Sequence, residues 1–308
     1  MIRHYTHSQI DKIKWDECIR NAFNGNVYAF SWYLDIVAYG WEALVEGDYE
    51  TVFPLTRRRK FFTDYLYQPL FTQQLGIFSV KRLNSEVVQR FLDSIPAEIR
   101  YGRFNLNRHN KPMEKKGLRV EQRVNIELPL MRPMEDIRRK YSLNTRRNIR
   151  KAEKDHVYVA DSIKPDHLVH LFRNNMPRRG VRWNDRDYRV LNHLLYTLVH
   201  KGAGFTRGVY SSSNQLLAAA FFTYTHQRIV LLLSAVSLQG RLSGAMHFLI
   251  DDTLARMCTQ AHILDFEGSQ DQNLARFYKS FGSEVFYYPC IELDRLPWLI
   301  TKLYHGLR

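Results

Sequence analysis

Asp265, Glu267 and Tyr278 lie together in residues 264–282, LDFEGSQDQNLARFYKSFG. Carboxylates at a strand end can orient or deprotonate an amine, here with Ser269 beside them, and a phenol can protonate a departing thiolate or alkoxide. Alternation on a strand would put Asp265 and Glu267 on one face, opposite Phe266. A structural alternative stands beside each role. A strand-end carboxylate also caps the amides of a following helix, and a tyrosine at helical spacing also packs in a core with its hydroxyl at the surface.

Two further stretches suit anions. RRKYSLNTRRNIRKAEK gathers Arg138, Arg139, Lys140, Arg146, Arg147, Arg150 and Lys151, with acids only towards its end. On a helix Arg146 and Arg150 lie one turn apart, as do Arg147 and Lys151, so a broad face is positive and suited to phosphates. A solvated connecting helix is the plainer alternative. In AVSLQGRLSGAM the small residues Gly240, Ser243, Gly244 and Ala245 follow a very apolar strand and open a helix. Backbone amides there can approach a phosphate closely, with Arg241 adding charge; glycine at such a turn is also ordinary turn chemistry. A polar run in the first half, Gln68 with Gln73 and Gln74, sits between a strand and a helix.

Periodicity predicts the elements that position these groups. The first half reads as a strand over 2–6, helices over 7–22 and 30–39, strands over 41–47, 50–57 and 61–68, a helix over 83–95, then strands over 103–107 and 119–129. Helices over 133–141 and 145–155 follow. The second half repeats the order: strand 157–161, helices 166–175 and 185–200, strands 204–210, 216–224 and 229–236, a helix over 243–260, strand 263–266, the helix closed by Gly282, and a strand over 285–293. The expected boundaries are 1–132, a basic connecting segment 133–156, and 157–308.

The 308 residues exceed what one hydrophobic core usually organises. Lys and Arg number 45 against 31 Asp and Glu, a net charge of +14 that favours a polyanionic partner. No apolar run is long enough to span a bilayer, and the start MIRHYTHSQIDKIKWDE suggests no secretion, so a cytoplasmic protein is expected. Cys18, Cys258 and Cys290 fit no metal spacing and read as small core residues. His167 and His170 lack a third ligand, so no metal is expected, and no Walker loop, dinucleotide fingerprint or nucleophile elbow is present.

Residues 239–245, Gln-Gly-Arg-Leu-Ser-Gly-Ala, resemble a loosened Q/R-x-x-G-x-G/A pyrophosphate loop of the GNAT acyltransferases. Residues 273–282, NLARFYKSFG, are similar to that family's N-x-x-A-x-x-x-Y-x-K-x-G-F motif, with a shorter Asn-to-Tyr spacing. Together with NTRRNIRKAEK and the doubled element order, the chain looks most like the FemABX-related branch. The resemblance implies an α/β fold of two tandem GNAT-like domains, each a mixed central sheet flanked by helices. Characterised members of that branch move an amino acid from aminoacyl-tRNA to the peptide of a cell-wall precursor.

The implied reaction is direct transfer of an acyl or aminoacyl group from a thioester or ester, acyl-CoA or aminoacyl-tRNA, to a primary amine, with no tightly bound cofactor. Donor phosphates would meet Gln239, Gly240, Arg241, Ser243, Gly244 and Ala245 and the cations Arg146, Arg147, Arg150 and Lys151. A backbone amide late in strand 229–236 would hold the oxyanion. Tyr278 would be the acid and Asp265 or Glu267 would handle the amine. Ser269, Asn273, Gln68, Gln73 and Gln74 would line the acceptor cleft. The rival reading is a non-catalytic binder of nucleic acid or an anionic surface. The acceptor, the acyl group and the oligomeric state stay open.

Overall fold

The computed structural model describes residues 1–60, 63–175, 183–268 and 271–296. It contains two compact units, each mixed α/β. Met1–Arg123 and the described part of the segment from Tyr287 form the first, and Val124–Phe286 forms the second.

The first unit runs β1 (Ile2–Tyr5), α1 (Lys12–Asn21), α2 (Ser31–Val37), β2 (Glu42–Glu46), β3 (Thr51–Leu55), β4 (Arg57–Lys60), β5 (Thr63–Tyr67), β6 (Phe78–Ser79), α3 (Ser85–Asp93) and β7 (Ile99–Asn105). β1, β2, β3 and β6 make one sheet, in that order. β5 pairs antiparallel with β4 and parallel with β7. Leu44, Phe53, Phe91, Ile99, Phe104 and Ile291 are among the buried residues of this core. The strand expected over 50–57 instead stops at Leu55, and β4 pairs back on β5. Its Arg57 is fixed between Glu42 and Asp64, a tertiary pairing that no alternation announces.

β8 (Leu118–Pro129) leads into the second unit, which continues with α4 (Met134–Arg139), α5 (Leu143–Lys154), β9 (Tyr158–Asp161), α6 (Pro165–Asn175), α7 (Asp185–His200), β10 (Gly204–Tyr210), β11 (Leu216–Thr225), β12 (Arg228–Val236), α8 (Leu238–Ser243), α9 (Ala245–Met257), β13 (Ile263–Asp265) and α10 (Gln272–Lys279). Its sheet has the order β8-β13-β12-β11-β10-β9. All neighbours are antiparallel except β12 and β13. β14 (Glu284–Asp294) then returns the chain to the first unit, where residues 290–294 pair antiparallel with β7.

The helices read as a connecting segment are part of the second unit. Ile149 and Ala152 of α5 are buried in its core with Leu249, Leu264, Phe266 and Phe281. Ser142 caps α5 by accepting from the Thr145 amide. The same two residues close the end of α10: Ser142 N donates to Ser280 O at 2.8 Å, and Thr145 Oγ1 donates to it at 3.1 Å. The SLNT and KSFG segments are therefore two halves of one joint, in which orphan groups at one helix end satisfy those of another. No helix among the described residues is long and apolar enough to cross a membrane.

Candidate active site

β12 is an apolar strand buried along most of its length. Its parallel pairing with β13 covers only Arg228↔Ile263, Ile229↔Leu264 and Val230↔Asp265. β13 ends there, and the chain bends at Glu267 and Gly268, which have φ of 61° and 59°. Beyond Val230 no described strand pairs with that side of β12, so the two strands part. On the other side the register with β11 slips where Phe221 faces Leu233 and Phe222 faces Leu231, leaving Leu232 as the extra residue of a bulge. A bulge bends a strand and turns its amides. A parted strand pair with a bulge supplies both a slot and unpaired N–H groups for a carbonyl oxygen.

The carboxylates do not share one face of a strand, as alternation suggested. Asp265 is the last residue of β13 and only 4% exposed. Its Oδ2 accepts from Arg228 Nη1 at 2.8 Å, and its Oδ1 accepts from the Glu267 amide at 2.8 Å. Arg228 Nη1 also donates to Glu127 Oε1 at 2.9 Å, to which Asn125 Nδ2 donates as well. Two buried carboxylates thus share one guanidinium. Burial pushes the Asp265 carboxyl up, and Arg228 opposes it. The side chain is spent on holding the end of β13 and the bend. Glu267 lies past the strand in a left-handed conformation, half-buried.

Tyr278, on α10, is 6% exposed and stacks on Phe266 with ring centroids 4.7 Å apart. Its hydroxyl makes no hydrogen bond among the described residues. Burial first, and then the Glu267 carboxylate, push its pKa up. Glu267 is thus the charged group whose field reaches the Tyr278 hydroxyl. His247 of α9 stands edge-on to Phe277 at 4.8 Å, and burial lowers its pKa to about 4, so it is a neutral packing residue at pH 7.

The glycine-led stretch is not an open loop. Residues 238–243 form α8, capped by Ser237, whose Oγ accepts from the Gly240 amide at 3.0 Å. The helix expected over 243–260 runs from Ala245 to Met257 instead, because Gly244 (φ 75°) makes a left-handed joint before α9. A Cβ on Gly240 would overlap the Leu217 carbonyl oxygen, and one on Gly244 the Asn148 carbonyl oxygen of α5. Both glycines are needed for close helix packing, whatever else they do. Gly244→Ala is expected to destabilise by at least ~1–2 kcal/mol from its left-handed backbone alone, read as a lowered denaturation midpoint. An unchanged midpoint would contradict both the left-handed strain and the contact with α5. Ser243 and Ala245 are buried, and Arg241 is exposed.

The cations of α5 divide. Lys151 lines a cavity of about 360 Å³ with Gln239, Leu242 and Ser243. Arg146 and Arg150 line a different one of about 570 Å³ with Tyr141 and Arg138. Arg147 is exposed, as is Asn273 on the first turn of α10. Ser269 lies outside the described residues. Gln68, Gln73 and Gln74 belong to the first unit and are engaged locally. Gln68 accepts from the Asn105 amide and donates to Thr72 O, Gln73 O accepts from Asn105 Nδ2, and Gln74 Nε2 donates to Gln73 Oε1. The Arg228–Glu127–Asn125 group was not singled out from the sequence. Its one sequence signal is a lone arginine opening the apolar run RIVLLLSAV.

No protein-family profile and no curated protein sequence matches the chain. Solved structures do. The class is set by fold: a tandem GNAT protein from the clavulanic acid biosynthesis pathway superposes with a TM-score of 0.52 at 11% identity, covering 96% of this chain and 99% of its own. FemX is similar with a TM-score of 0.69 at 14% identity, covering 96% of this chain and 98% of its own. The C-terminal domain of a putative lysylphosphatidylglycerol synthetase from Agrobacterium fabrum follows at 0.58 and 10%, covering 93% and 92%. The chain has a tandem GNAT-like fold of the FemX kind.

Proposed function

We propose that this chain is an N-acyltransferase that moves an acyl or aminoacyl group directly from an ester or thioester donor to a primary amine. The observation that carries the reading is the Tyr278 hydroxyl, unpartnered among the described residues, on a ring stacked against Phe266, the residue that follows the end of β13. The fold likeness to FemX and to a tandem GNAT protein supports acyl transfer as the class. The donor carbonyl sits in the slot between β12 and β13, with a β12 amide on its oxygen. The amine attacks, the C–N bond forms and the C–O or C–S bond breaks. Glu267 takes the proton that the amine loses, and Tyr278 gives its own to the leaving atom. The proton returns from Glu267 to Tyr278 through solvent, which restores both groups for the next turnover. Asp265, held by Arg228, positions the bend that carries Glu267.

The leaving group follows from proton affinity. A phenol with a raised pKa is a poor match for a thiolate and a better one for an alkoxide, the stronger base. An ester donor such as aminoacyl-tRNA is the better fit, and the cations of α5 and the net charge of +14 agree with it. Thermal denaturation with acetyl-CoA, CoA, and charged or uncharged tRNA tests the choice. A ligand at ~100 times its dissociation constant stabilises by roughly 2.7 kcal/mol. Charged tRNA is expected to raise the midpoint and CoA to leave it unchanged; the reverse pattern would make the donor a thioester. Glu267→Gln is expected to lower turnover by ~10²-fold at unchanged stability. Wild-type turnover in that variant would return the amine-handling role to another group.

A further inference from the structure

α4, α5 and α9 enclose the cavity of about 570 Å³, lined by Arg138, Arg139, Tyr141, Arg146, Arg150 and Asp251. It lies on the side of α5 away from the Lys151 and Gln239 cavity. Arg138 is already committed, since its Nε and Nη2 donate to the two oxygens of the buried Asp251 at 3.0 and 2.6 Å. Arg139 pairs outward with Asp136. Arg146 donates one N–H to the Arg139 carbonyl at 2.7 Å and keeps its remaining donors. Arg150 has no ion pair among the described residues. Glu135 and Glu153 also line the cavity without pairing to Arg146 or Arg150. Most unusual is Tyr141. It is 4% exposed, its ring stands edge-on to Phe281 at 5.3 Å, and its buried hydroxyl, beside the Asp251 carboxylate, makes no well-formed hydrogen bond among the described residues.

An unpaired buried hydroxyl costs free energy, of the order of 1–3 kcal/mol. Phenylalanine would fill the same space without it. Two guanidinium forks one helical turn apart beside a spare O–H donor have the complement of an oxyanion with several acceptor oxygens. We propose that this cavity binds a phosphate group, held by Arg146 and Arg150 and completed by the Tyr141 hydroxyl. Burial and the neighbouring Asp251 carboxylate hold the Tyr141 proton in place, so the group stays a donor. The cavity shares no lining residue with the parted strands, so phosphate binding there can be measured without acyl transfer. Its phosphate could belong to a nucleic-acid backbone or to a small phosphorylated molecule.

The test is thermal denaturation of the full chain with inorganic phosphate against chloride at matched ionic strength. Phosphate is expected to raise the wild-type midpoint above chloride. The response should vanish in Arg146→Gln/Arg150→Gln, whose changes are on exposed residues. Tyr141→Phe should weaken phosphate binding about tenfold while leaving the phosphate-free midpoint unchanged or higher, which a purely structural hydroxyl would not do. Equal responses to phosphate and chloride would overturn the proposal, as would a wild-type phosphate response in either variant. A tRNA acceptor-stem oligonucleotide separates the sources. Competition between it and phosphate, with RNA binding lost in the double variant, assigns the phosphate to nucleic acid. RNA binding that ignores the double variant, beside lost phosphate binding, assigns it to a small molecule.

Discussion

Tyr278→Phe is expected to lower turnover by at least ~10², because a general acid usually contributes 10²–10⁴-fold. The fold should be unaffected. The ring keeps its stack on Phe266, and the hydroxyl removed makes no hydrogen bond among the described residues. The pH dependence distinguishes a chemical role from a packing one. The raised pKa keeps Tyr278 protonated above the usual tyrosine range near 10. The wild-type rate should therefore not fall as pH rises through that range on account of this residue. In single-turnover measurements the loss should appear in the transfer step and not in donor affinity. A variant with wild-type transfer would remove Tyr278 from the chemistry.

The largest effect on stability is expected at Arg228. Removing the guanidinium leaves Glu127 and Asp265 buried side by side, and breaking a buried pair of this kind typically costs about 3–5 kcal/mol. That is a large part of the stability of an ordinary domain, about 5–15 kcal/mol. The sign of the pH effect follows from linkage. Asp265 has a raised pKa in the folded chain, so folding binds protons at this site. The stability that this proton contributes is fully present below the unfolded carboxyl pKa, near 3.9, and is lost as pH rises through the folded value. Without Arg228 the folded value moves higher still. Arg228→Met should therefore lose more stability at pH 8 than at pH 5 in denaturant titrations. Adding Glu127→Gln and Asp265→Asn should restore part of it, since the repulsion is then gone. A loss independent of pH, with no recovery in the triple variant, would contradict the shared-guanidinium account.

Much of this was legible because it is local. The apolar run of β12, the helix carrying Tyr278 and its stop at Gly282 follow from residue spacing. The basic face of α5 is likewise a matter of one helical period. The face assigned to Asp265 and Glu267 was not legible. Alternation assumes that the strand continues, and here it ends at Asp265 with a non-glycine residue in the left-handed region. Only Gly268, one position later, hints at the bend. The Glu127–Arg228–Asp265 group draws on three strands, β8, β12 and β13, and its meeting depends on pairings that no window of sequence contains. The return of β14 to the first unit has the same origin. The glycines of 239–245 were read for their freedom to approach phosphate. Their nearest neighbours are carbonyls of β11 and α5, so packing accounts for them independently.

Every role assigned to Tyr278, Glu267 and Asp265 depends on acyl transfer at the parted strands. The most direct measurement incubates the chain with tRNA bearing a radiolabelled aminoacyl group and a panel of primary amines, follows label entering an amide, and repeats this with Tyr278→Phe and with labelled acetyl-CoA. Label is predicted to pass from the tRNA ester to an amine at a rate that falls at least ~10²-fold in Tyr278→Phe. Salt-sensitive RNA binding that survives in Tyr278→Phe and Glu267→Gln, with no label reaching any amine from either donor, would contradict it and establish a binding protein on this fold.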